Sequence, residues 1–317
     1  MAVAPPVGGA PTDMPAIIAA ILLSAAAGIW ASTATPERAT RLSRRSLLVV
    51  LYVVLPPTTF FNLTAVEFDT DHAGGIVIAW FAVVIAATVA YLIGSRLLRL
   101  PAYVTGAMVT CTLVANTGYL GYPLVAALLG SDKLGEGVAY DIGVGVPALL
   151  IGGFAVGAAF GTKAGEGARE RSGAFFARNL LYAAIAALLA PDSWAPDIAV
   201  DISRVIVVLI LPVGFFAVGT ALAHDSDEGE VKLPPPITPP TIAVTFTKVL
   251  LLPALLYALS LPFIDLPGTY LLMAAMPAGL NSMIVAHAYG LDLETTAEAI
   301  TWTTALVVTA ALVASFV

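Results

Sequence analysis

Apolar residues in this chain run in long blocks separated by short polar or charged connections. A helix that crosses a bilayer needs about 20 mostly apolar residues, since each adds only ~1.5 Å of rise. Blocks of that length predict ten transmembrane helices, at 14–33, 45–65, 74–97, 102–130, 136–160, 174–191, 198–223, 240–261, 267–290 and 295–317. The predicted fold class is an all-α polytopic membrane protein. The longest connections, 161–173 and 224–239, lack helical periodicity. The second is charged and then rich in proline, which predicts a stiff, exposed linker.

Two blocks are interrupted. Cys111–Leu128 carries Asn116, Thr117, Gly118, Gly121 and Pro123 at its middle, and Ala274–Gly290 carries Pro277, Gly279 and Asn281. Pro123 lacks an N–H, and its ring clashes with the carbonyl four residues back, at Tyr119. The glycines lower the cost of unwinding. Interrupted helices at corresponding places in two halves of a membrane chain point to a transporter's binding site.

Composition strengthens the membrane reading. The chain is 59% hydrophobic and 11% charged, with a mean hydropathy of +0.93, against roughly 25% charged residues in soluble domains. A net charge of −7 argues against nucleic acid as a partner. The single cysteine, Cys111, excludes an intrachain disulfide and a Cys-based zinc site, so no metal is expected beyond a sodium ion at the breaks. Residues 1–13 contain no Lys or Arg, so the charged region of a signal peptide is missing and the first block reads as the first membrane helix.

Loop charge sets the orientation. Arg38, Arg41, Arg44 and Arg45 fall between spans 1 and 2, Arg96 and Arg99 flank the connection from 3 to 4, and Lys163, Arg169 and Arg171 lie between 5 and 6. By the positive-inside rule these connections are cytoplasmic, which puts both termini outside the cell membrane. Trp30, Trp80 and Trp302 are expected at the membrane interfaces.

The chain divides into a first five-helix repeat (1–160), a cytoplasmic linker (161–173) and a second repeat (174–317). Five is odd, so the second repeat is inverted relative to the first. LPPTTFFNLTA from Leu55 matches LPVGFFAVGTA from Leu211. Asn116 follows Pro101 by fifteen residues and Asn281 follows Pro267 by fourteen. Each Asn therefore lies roughly 21–23 Å along its helix, near mid-membrane, one entering from each side, so that the breaks can meet.

YVVLPPTTFFNL (52–63), ANTGYLGYPLVAALLG (115–130), LILPVGFFAVGTAL (209–222) and MPAGLNSMIVAHAYGLD (276–292) resemble the auxin efflux carrier family of membrane transporters. That family includes plant auxin exporters and prokaryotic permeases for malate or other organic anions. The Asn-Thr-Gly-x-x-Gly-x-Pro stretch is the most specific part. The resemblance implies a ten-helix fold with crossed, broken helices 4 and 9. It also implies a scaffold of spans 1, 2, 6 and 7 and a transport domain of spans 3–5 and 8–10 that moves like an elevator. The fold is shared with sodium–bile acid transporters, so the resemblance leaves ion coupling open.

The chemistry of the breaks fits an anion. The N-terminal end of a half-helix carries free N–H groups and about half a positive charge, so two such ends form an anion site without a buried Arg or Lys. Substrate-binding candidates are Asn116, Thr117, Gly118, Tyr119, Pro123, Pro277, Asn281 and Ser282, with Asn62 contributing from span 2. Unwound carbonyls and Asn oxygens are also ligands for Na⁺. Charges inside a membrane are functional candidates, so Asp141, Lys248 and the later His287 are candidates for ion coupling or charge support. Counted depth separates Asp141 from Lys248 by about 10 Å, against a direct pair. The expected function is secondary transport or efflux of a small organic anion, with Na⁺ or H⁺ as coupling ion and no other cofactor. A sodium-coupled symporter is the alternative, and a receptor on a transporter fold is the alternative of another class. A homodimer through the scaffold is expected. Paired catalytic carboxylates, a Gly-x-Ser-Gly motif and a His-Glu-x-x-His motif are absent from the sequence, so no enzyme activity is expected.

Overall fold

A computed structural model describes residues 14–66, 69–162, 178–191, 194–224 and 235–314. Among them there are helices and turns but no strand; extended backbone pairs only at one isolated bridge. In chain order the helices are α1 (Met14–Ala34), α2 (Pro36–Val49), α3 (Leu55–Thr64), α4 (Thr70–Leu92), α5 (Ala102–Leu113), α6 (Tyr122–Leu128), α7 (Leu134–Tyr140), α8 (Phe154–Phe160), α9 (Arg178–Leu189), α10 (Asp197–His224), α11 (Pro239–Thr245), α12 (Leu252–Ser260), α13 (Gly268–Ala274), α14 (Asn281–Tyr289) and α15 (Leu293–Ala314). Many successive segments are joined by π-helical turns, at Val50–Val54, Thr117–Gly121, Asp141–Gly145, Ala148–Gly153 and Phe246–Leu251. Such turns insert a residue into the helix and cluster at functional places.

Five helical stretches are long and apolar enough to cross a membrane by length and composition: Thr70–Leu97, Ser131–Phe160, Asp197–Ala217, Pro239–Ser260 and Leu293–Ala314. Bulky apolar side chains such as Phe81, Ile151, Leu209 and Ile242 are exposed on their outer faces, while alanines and threonines fill the contacts between helices. That distribution suits a chain whose solvent is lipid, because small residues let helices approach closely.

Two groups of helices emerge from the packing. Helix α1 lies along α10, where Gly28 and Gly219 face each other's helix so closely that a methyl on either would overlap the opposite backbone. Helix α3 packs on α9 and α10, and α2 on α10. The second group joins α4 to α5 and α12, α11 and α5 to α15, and α5 to α8.

Several boundaries differ from the sequence expectation. The second span, expected from residue 45, is preceded by a helix from Pro36 that carries the arginines placed in a loop. Ala39 and Ser43 are buried four residues apart while Arg38, Arg41 and Arg45 stay exposed, so one face packs and the other carries charge. The helix thus continues beyond its apolar part. Trp80 is half-buried and donates to the Gly143 carbonyl at 2.9 Å, which makes it an interhelical tie rather than an interfacial anchor. Trp302 donates to the Pro235 carbonyl at 3.1 Å, and Trp30 is exposed. The linker residues 163–173 lie outside the described residues.

Candidate functional site

The two interrupted blocks meet. Helix α5 ends at Leu113, and Val114 turns into extended backbone, with φ −89° and ψ 114°. On the other block α13 ends at Ala274 and α14 begins at Asn281. Between them Ala115 and Ala278 form an antiparallel bridge. The Asn116 N–H donates to the Pro277 carbonyl at 2.9 Å, and the Gly279 N–H donates to the Val114 carbonyl at 2.8 Å. Buried backbone without helical partners is costly in a membrane, and each break here satisfies the other. The approach requires glycine: a Cβ on Gly279 would stand 2.7 Å from the Ala115 carbonyl oxygen. Thr303 of α15 completes the junction by accepting the Ala278 N–H at 3.1 Å.

Beyond the bridge the chain turns back into helix on both sides. On the first arm Thr117–Gly121 is a π turn closed by Gly121 N–H to Asn116 O at 3.0 Å, and Pro123 then enters α6 within its first turn. On the second arm the Ser282 and Met283 N–H groups are taken by the Gly279 and Leu280 carbonyls, at 2.9 and 3.1 Å. The remaining first-turn N–H groups of each arm lack intrahelical partners.

The side chains divide into engaged and free. Thr117 donates to Asp141 Oδ1 at 2.5 Å and Tyr122 donates to Asp141 Oδ2 at 2.7 Å, all three buried. Asp141 heads its own π turn and braces the first arm from behind. The Asn116 amide, although buried, caps nothing. Neither it nor the half-buried Asn281 amide has a hydrogen-bond partner among the described residues. The fully buried Ser282 hydroxyl faces the Cys111 thiol and has no well-formed hydrogen bond among the described residues. Open space is present two residues after Asn116, where a Cβ on Gly118 would meet nothing within 4 Å. Tyr119 packs on Gly214 of α10, where the first arm touches the other helix group.

The remaining predicted residues fall elsewhere. Asn62 is buried and donates to Thr58 O and Ser203 Oγ, both at 2.8 Å, so its amide N–H groups tie α3 to α10 instead of reaching the breaks. Lys248 is buried in the Phe246–Leu251 turn, and no ion pair joins it to Asp141 among the described residues. His287 is exposed. Glu298 was not among the residues that the pattern singled out: it is buried within the apolar tenth block and accepts from Thr238 and Thr241. Its signal was a lone acid inside a predicted span.

A polar cavity of about 310 Å³ lies at the helix ends, lined by Asp69, Asp71, His72, Lys133, Glu136 and Asp265 among others. Its Glu136 accepts from Lys133 at 2.7 Å and from Thr269 at 2.8 Å. Asp69 caps α4, and its carboxyl is held below the ordinary value, mainly by the His72 backbone N–H and then by the His72 ring. An apolar groove of about 390 Å³ runs along α2 and α10. Neither contains Asn116 or Asn281.

Apolar helices of membrane length define a multi-pass helical membrane protein. Residues 196–315 match the membrane transport protein family, and over that stretch the chain carries this family's pattern, as the auxin efflux carrier resemblance implied. The match takes in LILPVGFFAVGTAL and MPAGLNSMIVAHAYGLD; the Asn-Thr-Gly stretch lies outside it. A similar protein is the uncharacterized transporter MJ1031 of Methanocaldococcus jannaschii, 27% identical over 116 residues. That alignment spans 36% of this chain and 37% of the relative. Family and relative are transporters, not enzymes.

Proposed function

We propose that this protein is a secondary carrier of a small organic anion, with its binding site where the two breaks pair. The observation that carries the reading is that pairing: two interrupted helices satisfy each other's backbone through Ala115 and Ala278, yet leave the amides of Asn116 and Asn281 unengaged among the described residues. Unused amide donors next to first-turn N–H groups that lack intrahelical partners are suited to a carboxylate. On this reading the chain spans the membrane ten times as two inverted repeats, the broken helices cross at mid-membrane, and the termini face outside a cell membrane. Two features support an elevator-like movement: α1, α2, α3, α9 and α10 pack chiefly on one another, and they meet the other helices along a seam of α3 on α7 and α10 on α6, with Tyr119 against Gly214. A homodimer would form through the first group.

Sodium coupling is a second reading, favoured by the Asp141 carboxyl, which Thr117 links to the first break. Flux of a panel of small carboxylates into liposomes, with and without Na⁺ and a pH gradient, tests both. Carboxylate flux that is lost in Asn116→Ala and Asn281→Ala supports the proposal, and dependence on Na⁺ selects the second reading. Full-rate transport by both folded variants contradicts the site.

A further inference from the structure

The outward stripe of helix α2 changes character at one point. Arg38, Arg41, Arg45 and Val49 follow one another at intervals of three and four residues, so they share one helix face. All four are exposed, while Ala39 and Ser43 on the other side are buried. None of the three guanidinium groups has an ion-pair partner among the described residues. A stripe that passes from arginine to valine within one turn crosses a boundary between charged and apolar surroundings, as at a membrane surface.

An apolar groove begins at that boundary. Arg45 and Ser46 form its polar end, and Val49, Val50 and Val54 face Leu209 of α10 along its length. Its volume is about 390 Å³. Its rim is apolar and open, with Val49 53% and Leu209 66% exposed. Val54 follows Arg45 by nine residues, which is about 13 Å at helical rise. That matches one leaflet of a bilayer whose hydrocarbon core is ~30 Å thick in all. A cationic end and an apolar trough one leaflet long complement the two parts of a phospholipid, its phosphate and its acyl chain.

We propose that the groove between α2 and α10 binds one anionic phospholipid, its chain along the valines and Leu209 and its phosphate on Arg45 and Arg41. Charge complementarity selects this occupant. Guanidinium groups take phosphate oxygens in pairs, and basic pockets beside membrane helices hold anionic headgroups. A zwitterionic lipid offers the same chain and phosphate but carries a cation toward Arg38 and Arg41, where like charges repel. A second copy of this chain, seated on the stripe about an axis normal to the membrane, would bring its own arginines to the same level and oppose like charges again. On the orientation that loop charge gives, this is the cytoplasmic leaflet, where anionic lipids concentrate. The site rests on the chain lying in a bilayer and not on what the breaks bind.

Native mass spectrometry of the purified protein, titrated with phosphatidylglycerol or phosphatidylcholine, tests it without a transport assay. One phosphatidylglycerol per chain should bind more tightly than phosphatidylcholine. Arg41→Gln combined with Arg45→Gln should weaken that binding by about tenfold or more, at about fivefold for each arginine. Arg96→Gln, which removes an exposed arginine from the other helix group, should leave it unchanged. Val49→Trp fills the trough with the arginines in place, and it should weaken binding as well. All these positions are exposed, where substitutions cost little stability. Equal binding of the two lipids, wild-type affinity in the double variant or in Val49→Trp, or an equal loss in Arg96→Gln overturns the proposal. A dimer that forms at the expense of the bound lipid also overturns it and gives the groove to a second copy.

Discussion

The two breaks lean on each other but are supported differently. Behind the first, Asp141 receives Thr117 and Tyr122, so a buried carboxyl fixes both ends of the π turn. Behind the second, one neutral hydroxyl, Thr303, accepts the Ala278 N–H, and Ser282 beside it has no well-formed hydrogen bond among the described residues. The buried acid of the second half among the described residues, Glu298, is spent on the start of α11 and not on the break. The first arm is thus braced by a buried carboxyl, while the second is held by one neutral hydroxyl, by the packing of α14 on α15, α8 and α5, and by its contact with the first.

This asymmetry gives an order of effects. The largest is at the brace. Asp141→Ala leaves the buried Thr117 and Tyr122 hydroxyls without an acceptor, at about 1–3 kcal/mol for each stranded group. Thermal unfolding in detergent should show a fall of several degrees or more, and an unchanged midpoint would remove the brace from the account. Next comes the contact itself. Gly279→Ala puts a methyl 2.7 Å from the Ala115 carbonyl oxygen, and overpacking of this kind costs about 1–3 kcal/mol. Its melting midpoint should fall, and a Cys pair replacing Ala115 and Ala278 should cross-link less readily in its presence.

Thr303→Val should cost less than Asp141→Ala, because it strands one backbone N–H, about 1–3 kcal/mol. Equal losses for the two variants would erase the difference between the arms. The smallest effect lies outside the breaks. The Asp69 carboxyl is held below its ordinary value in the folded protein. Its contribution to stability is therefore present above the unfolded-state value of about 3.9 and fades as the pH falls through the folded one. Asp69→Asn should flatten the acid arm of a melting-temperature profile and leave the neutral range nearly unchanged.

The breaks were legible in the sequence because proline, glycine and asparagine together in an apolar block oppose a continuous helix, and counting residues gave their depth. Depth is one coordinate only. The partner of Asp141 depends on which way each helix faces, and π turns at Thr117–Gly121 and Asp141–Gly145 rotate the downstream helix by an extra residue. The apolar pattern places Asp141 within the membrane but does not bring Thr117 and Tyr122 beside it. Asn62 illustrates the same limit, since its span was legible and its neighbour Ser203, far along the chain, was not. Glu298 was hidden differently. It stood as a lone acid inside the tenth predicted span, but its partners Thr238 and Thr241 lie far back along the chain.

The central claim is that Asn116 and Asn281 jointly bind an anion between the arms. Its most direct test is calorimetric titration of a transported carboxylate into the wild type, Asn116→Ala, Asn281→Ala and the double variant. The account predicts that each single change weakens binding about tenfold, as expected for a lost hydrogen bond to a charged group, and that the two losses do not simply add. Binding at wild-type affinity in both folded single variants would contradict it.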